Sequence, residues 1–249
     1  MFFKSVYEKA PKHIRQEDCA FYHCMDIPGI GEVTGQWDLR ATVDRYLGDV
    51  NFSSKRVLEI GPASGFLTVE MEKRGADVVA VDLPEGVGWD FVPWPDAMLN
   101  PIREARIAGI RQLKAGFWLN YAANKSKAKV VYADVYDLPE ALGEFDIAVL
   151  ASVLLHCQCP AKIIEQCTRR AKTLVITEPY RSELEGPVCR LCPSLENKNW
   201  DTWWDFSPEF FTQYLGVLGY IDPIVSLHSH KHVPSQDGIV MFSVVASRP

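Results

Sequence analysis

Five ionisable side chains stand at or just beyond the ends of apolar runs: Glu59 after Val57-Leu58, Asp82 after Val78–Val81, Asp134 after Val130–Ala133, His156 after Val153–Leu155 and Glu178 after Leu174–Thr177. Carboxylates accept hydrogen bonds from hydroxyl, amino and ammonium groups. An imidazole, with an ordinary pKa of about 6.5, takes or gives a proton near neutrality. Glu59 opens the segment Glu59-Ile60-Gly61-Pro62-Ala63-Ser64-Gly65. A sharp glycine turn of this kind leads from a strand into a helix at the edge of an α/β sheet where ligands bind.

The turn excludes two ligand classes. A dinucleotide fingerprint needs glycines at its first, third and sixth positions. Here the third is Ala63 and the sixth Phe66. A phosphate-binding P-loop needs Gly-Lys-Ser/Thr, and none follows. A phosphate-free ligand has no need of the middle glycine. S-adenosylmethionine is such a ligand, and its donors match the acids in order. Glu59 suits the amino group, Asp82 the two ribose hydroxyls, and Asp134 the adenine amino group.

The elements that must carry these residues follow from periodicity. Short apolar runs at 56–60, 77–82, 129–133, 145–151 and 173–177 read as buried strands, with helices predicted over 64–74 and 161–171. A helix near 208–218 precedes two strands, near 220–227 and 238–246. The gap between those strands is too short for a crossover helix, so they form an antiparallel hairpin. The expected fold is α/β, a mostly parallel sheet covered on both faces with an antiparallel last strand.

Residues 55–180 resemble the class I S-adenosylmethionine-dependent methyltransferases, through Glu59–Gly65, Asp82 and Asp134. The resemblance implies a Rossmann-like, doubly wound sheet of seven strands, with Glu59, Gly61, Ala63, Gly65, Asp82, Leu83, Asp134, Val135 and Ser152 holding the cofactor. Within the core, Leu154-Leu155-His156 followed by Pro160 is similar to the tRNA wobble-uridine carboxymethyltransferase group. That group carries a tyrosine before the histidine, where it helps to hold a carboxylated cofactor. Leu155 stands there here, which favours ordinary methyl transfer.

Methyl transfer needs alignment and, for a hydroxyl or thiol acceptor, a base. His156 is the first catalytic candidate, as base or positioning group, with helix capping as the alternative. Glu178 is the second, with strand-end capping as the alternative. Three segments are predicted to cover the site. Residues 35–40 offer Trp37 and Arg40, either on the substrate or on a packed N-terminal helix. The 84–126 insertion holds Trp89, Trp94 and a helix started by Asn100-Pro101, with the apolar stripe Ile110, Leu113, Phe117 and Tyr121. Arg103, Arg106, Arg111 and Lys114 on that helix could meet an anion or form a solvated face. Residues 180–206 end in Trp200-Asp201-Thr202-Trp203-Trp204, a loop that could wall an apolar or aromatic acceptor, with a lid packed on the core as the alternative. Trp118, Tyr121, Tyr180, Trp203 and Trp204 complete the predicted substrate contacts.

Composition narrows the class. The 249 residues are 47% hydrophobic and 23% charged, as in a globular domain, with a net charge of −6. That sign weighs against a broad nucleic-acid groove. No apolar run approaches the roughly 18 residues of a membrane span, and the first residues are too polar for a signal peptide. Seven cysteines at irregular spacing argue against a disulfide framework and for the cytoplasm. Cys157-Gln158-Cys159 and Cys189-Arg190-Leu191-Cys192 are a mismatched pair for zinc, so no metal is expected. His228, His230 and His232 alternate and would share one strand face, read as an exposed edge. The whole chain is expected to be one domain: N-terminal cover (1–50), cofactor core (55–180), insertion (84–126), lid (180–206) and C-terminal helix with hairpin (207–249). The reading is a methyltransferase using S-adenosylmethionine on a small organic acceptor at oxygen or nitrogen. A tRNA-modifying transferase and a non-catalytic cofactor-binding protein are the alternatives.

Overall fold

The computed structural model describes residues 5–88 and 90–249; Trp89 lies outside them. Twelve strands run in chain order: β1 (Met25–Ile27), β2 (Gly31–Val33), β3 (Trp37–Asp38), β4 (Arg56–Ile60), β5 (Asp77–Asp82), β6 (Lys129–Tyr132), β7 (Phe145–Ala151), β8 (Ala171–Pro179), β9 (Cys189–Leu191), β10 (Trp204–Phe206), β11 (Ile221–His232) and β12 (Asp237–Ser247). Among the described residues five α-helices accompany them: α1 (Val43–Tyr46), α2 (Phe66–Lys73), α3 (Asp96–Ala123), α4 (Pro160–Thr168) and α5 (Pro208–Val217).

The main sheet has the order β3-β11-β12-β8-β7-β4-β5-β6. Strands β4 to β8 are mutually parallel, so all five end at one edge. β12 lies antiparallel between β8 and β11. The chain leaves β4 towards β5 and β6, then returns to β7 on β4's other side. That reversal opens the crevice in which such sheets bind ligands.

Both faces of the sheet are covered. Leu58 and Ile60 of β4 point to the side of Ile163, Ile164, Phe211 and Leu215. Val57 points to the side of Leu47, Phe66 and Met71. Two-sided burial explains why the central strands read as apolar runs and not as alternation.

Four expectations are corrected. The main sheet has eight strands, because the two residues of β3 pair with Lys231 and His232 and extend the outer edge; residues 35–40 form no helix. α3 starts at Asp96, ahead of Asn100-Pro101, and Pro101 sits inside the helix. There it forgoes only one backbone bond, near the helix start. Trp204 belongs to β10, paired with β9, and not to a loop.

The histidines of β11 are not three exposed edge residues. His228 and His230 are buried beneath the N-terminal segment. A ring-to-ring hydrogen bond of 2.5 Å joins them; His230 also meets Thr42 Oγ1 at 2.7 Å, and His228 meets Ser243 Oγ at 2.8 Å. Burial lowers both pKa values to about 4. The unfolded imidazoles, with pKa of about 6.5, therefore take up protons first. Stability is complete above pH 6.5 and falls as pH drops towards 4. The urea midpoint will decline across that window, with a shallower slope in a His228→Asn, His230→Asn double variant.

Candidate active site

Gly61 begins the turn after β4 at φ +72°, and a Cβ there would stand 2.8 Å from Val153 Cγ2. Gly65 precedes α2 at φ +78°, and a Cβ there would stand 2.8 Å from the Phe117 ring. Both glycines combine a left-handed backbone with a close approach, so the turn lies flat against β7's exit on one side and α3 on the other. Ala63 shares the left-handed conformation at φ 49°, as does Ser152 at φ 54° just beyond β7.

A cavity of about 350 Å³ opens above these strand ends. Gly61, Ala63, Asp82, Leu83, Asp134, Val135, Ser152 and His156 line it, so eight residues chosen from sequence meet in one place. Asp82 Oδ1 accepts the Leu83 N–H at 2.8 Å, and burial raises its pKa. Asp134 Oδ1 accepts the Tyr136 N–H at 2.8 Å. Ser152 Oγ lies 3.0 Å from Tyr46 Oη, and its N–H donates to the Thr177 carbonyl at 2.7 Å.

Glu59, Gly65 and Glu178 are not among the lining residues. Glu59 Oε2 accepts from Thr68 Oγ1 at 2.5 Å, while its buried Oε1 has no partner. Burial lifts its pKa to about 8. Glu178 Oε1 accepts the Leu154 N–H at 2.9 Å, and Oε2 is likewise buried without a partner. Its pKa is also pushed up to about 8 by burial. Glu178 therefore braces the single 3₁₀ turn Leu154–His156 that presents His156, and stands behind the site.

His156 Nδ1 lies 2.6 Å from the Asp201 carbonyl oxygen. A carbonyl only accepts, so the proton sits on Nδ1 and the lone pair on Nε2. Burial lowers this histidine's pKa and keeps it neutral at pH 7. A neutral imidazole with its base nitrogen defined is the form that accepts a proton.

Beside Asp90, which lines the cavity, two segments far apart in sequence are tied together. Val92 N–H donates to the Trp200 carbonyl at 3.0 Å, Trp94 Nε1 to the Asn199 carbonyl at 2.7 Å, and Phe91 stacks on Trp200 at 5.7 Å. Asp90 holds the first of them, accepting from Tyr136 Oη and from Gln158 N. Trp203 is buried and donates to the Asp90 carbonyl, and Trp204 donates to the carbonyls of Cys157 and Gln158; neither of these predicted substrate contacts lines the cavity.

The other predicted substrate contacts lie elsewhere. Trp37 packs on His232 and donates to Tyr22 Oη at 3.2 Å. Arg40 is spent on Asp38, Glu32 and Asp26. Trp118 donates to Tyr132 Oη, and Tyr121 packs on Phe117 and Trp118. Tyr180 packs on the core beside β8. Three of the four basic residues predicted on α3 are engaged within the molecule: Arg106 pairs with Asp201 and lies over Trp200, Lys114 lies over Tyr132, and Arg103 pairs with Asp96, while Arg111 is exposed.

Several lining residues were missed, notably Tyr22, His23, Asp90, Tyr136 and Cys157. Tyr22 and His23 arrive by tertiary pairing: His23 bridges to Trp37, and the Tyr22 N–H donates to Ser64 Oγ at 3.0 Å. Among the described residues no Lys or Arg lines the cavity, and its charged groups are Asp82, Asp90 and Asp134.

A family model described as a methyltransferase domain matches residues 35–214. The ubiquinone biosynthesis O-methyltransferase of Hahella chejuensis is 31% identical over 119 residues, covering 47% of this chain and 39% of that protein. The chain thus spans about two fifths of the length of the curated relatives it matches. The N-terminal domain of EvdMO1, crystallised with S-adenosylhomocysteine and D-fucose, superposes with a TM-score of 0.57 at 18% identity, covering 91% of this chain and 90% of that one. An S-adenosylmethionine-dependent methyltransferase from Methanosarcina mazei gives 0.52 at 17% identity, covering 85% and 98%. At such identities the likeness is one of fold. Among the described residues no helix is long and apolar enough to cross a membrane.

The turn geometry makes a prediction of its own. Gly61→Ala forces a side chain into both a left-handed backbone and the Val153 contact. The expected cost is about 1–3 kcal/mol, read as a lower urea midpoint. An unchanged midpoint would remove the steric role given to Gly61.

Proposed function

The chain belongs to the methyltransferase-domain family, and we propose that it uses S-adenosylmethionine to methylate a small organic acceptor, at oxygen or nitrogen. The observation that carries this reading is the cavity itself. Acids from two successive strand ends, Asp82 and Asp134, line it with no described cation among its walls. Such walls repel phosphate groups and favour a cationic ligand. The buried, unpartnered Glu59 Oε1 beside the glycine turn further suits an ammonium group.

The residues present fit this cofactor. Asp82 would accept from the ribose hydroxyls, Asp134 with Val135 would meet the adenine, and Glu59 would lie beneath the amino group. When bound, S-adenosylmethionine supplies a methyl group already activated on a sulfonium. The chain's part is alignment and proton management. Glu178 fixes the turn that carries His156. His156 Nε2 takes the proton from an acceptor hydroxyl. Oxygen is the favoured attacked atom, because a neutral histidine at this position suits a hydroxyl and the curated relatives are named O-methyltransferases.

Calorimetry tests the cofactor assignment. Asp82→Ala will weaken S-adenosylmethionine binding by at least about tenfold, or about 1.4 kcal/mol. A wild-type chain that binds neither S-adenosylmethionine nor S-adenosylhomocysteine refutes the reading. His156→Ala will keep binding and lose roughly 10²- to 10⁴-fold in turnover, measured as S-adenosylhomocysteine released with a panel of phenols and amines. Because burial lowers the His156 pKa, the acid limb of the wild-type rate profile will lie below pH 6.5. An acid limb above pH 6.5 would remove His156 from the proton transfer.

A further inference from the structure

A methyl acceptor has to be held as well as deprotonated. Tyr22 lines the cavity, and its backbone is pinned on both sides. Its N–H donates to Ser64 Oγ at 3.0 Å, and its carbonyl accepts the N–H groups of Gln36 and Trp37 at 2.8 and 3.2 Å. Gly35 permits that approach, since a Cβ there would stand 2.6 Å from the Tyr22 carbonyl carbon. The phenol ring meets the His23 ring edge-on, with centroids 5.0 Å apart. A ring fixed in this way presents its hydroxyl in one direction.

That hydroxyl has a donor behind it. Trp37 Nε1 donates to Tyr22 Oη at 3.2 Å, so the phenol oxygen serves as acceptor. Among the described residues no group accepts the phenol's own proton. Burial raises the Tyr22 pKa, so the proton stays on the oxygen. The charges that bear on the phenol are Arg106, Glu178 and Asp201. Arg106 and Asp201 also bear on His156, whose Nδ1 meets the Asp201 carbonyl, and Glu178 braces the turn that carries His156. The phenol therefore stands at the His156 end of the cavity.

We propose that the Tyr22 hydroxyl donates its hydrogen bond to the oxygen that is methylated, and so selects a hydroxyl acceptor over an amine. The assignment rests on the methyltransferase reading given above. An acceptor hydroxyl oxygen carries two lone pairs. One receives the Tyr22 hydrogen bond. The other forms the bond to the methyl carbon as the C–S bond breaks and its electron pair returns to sulfur. The hydroxyl proton passes to His156 Nε2. A neutral amine nitrogen has a single lone pair, and attack consumes it. Tyr22 is then left without an acceptor, and a buried donor left unpaired is costly. The hydrogen bond also strengthens if charge builds on the attacking oxygen, which favours transfer beyond binding.

The test uses phenol and aniline pairs that differ only in the attacked group, assayed as S-adenosylhomocysteine released. Tyr22→Phe keeps the ring and removes the donor, so the phenol-to-aniline ratio of kcat/KM should fall about tenfold or more. Trp37→Phe leaves the phenol in place without the donor behind it, and should lower the same ratio by a smaller factor. Calorimetric binding of S-adenosylhomocysteine reports that each variant is folded. Should Tyr22→Phe not bind it, the ratio in Trp37→Phe decides alone. An unchanged ratio, with both rates lost or both kept, overturns the role given to Tyr22 and leaves the methyltransferase reading intact. A wild-type chain that binds the cofactor yet methylates only the anilines, or no member of any pair, overturns that role as well. Failure of the wild-type chain to bind S-adenosylhomocysteine overturns the two together.

Discussion

Carboxyl groups taken out of water are the constraint around which this molecule is arranged. Glu59, Asp82 and Glu178 stand at or near the ends of parallel strands, and burial raises the pKa of each. Desolvating an acid is costly unless something compensates. Thr68 and the Leu83 and Leu154 N–H groups supply part of that compensation and leave one oxygen of Glu59 and one of Glu178 wanting. A parallel sheet delivers the carboxylates to one edge, and the reversal between β4 and β7 gives that edge a crevice.

The three acids then divide their work. Asp82 faces the cavity, Glu59 faces α2, and Glu178 faces the backbone of the turn bearing His156. A strand end with an acid is thus not a uniform signal. Side-chain direction decides whether the group meets a ligand, a helix or a loop. The same logic separates the tryptophans: Trp203 and Trp37 each donate to a lining residue, Asp90 and Tyr22, from behind the cavity wall, whereas Trp118 bonds Tyr132, which does not line it.

Much of this was legible in the sequence. Asp77–Asp82 and Phe145–Ala151 were bounded to the residue, because two-sided burial writes an uninterrupted apolar run between polar ends. Gly61, Asp82, Asp134 and His156 were placed together because their order along the chain maps onto adjacent strand ends. Glu59 and Glu178 were chosen by type, yet the run itself does not say which way an end residue turns. Tyr22, His23 and Asp90 left no local trace. Their positions follow from pairing between distant segments: residue 23 with 37, and 90 with 136, 158 and 203. β3 is two residues long, so its strand character exists only through its register with β11.

That short strand ties the two halves of the chain's history together. Trp37 and Asp38 pair with His232 and Lys231, and Thr42 with His230. The segment bearing Tyr22 and His23 hangs from Trp37. On a ribosome, strands β4 to β8 can assemble their crevice while β11 is still unmade. The segment bearing Tyr22 can meet Ser64 and Gln112 earlier, but β3 has its edge to pair with only once residues 231 and 232 have followed. A chain cut short before the hairpin would therefore keep the strand ends of β4 to β8 and lose the edge that holds Trp37 beside Tyr22 and His23.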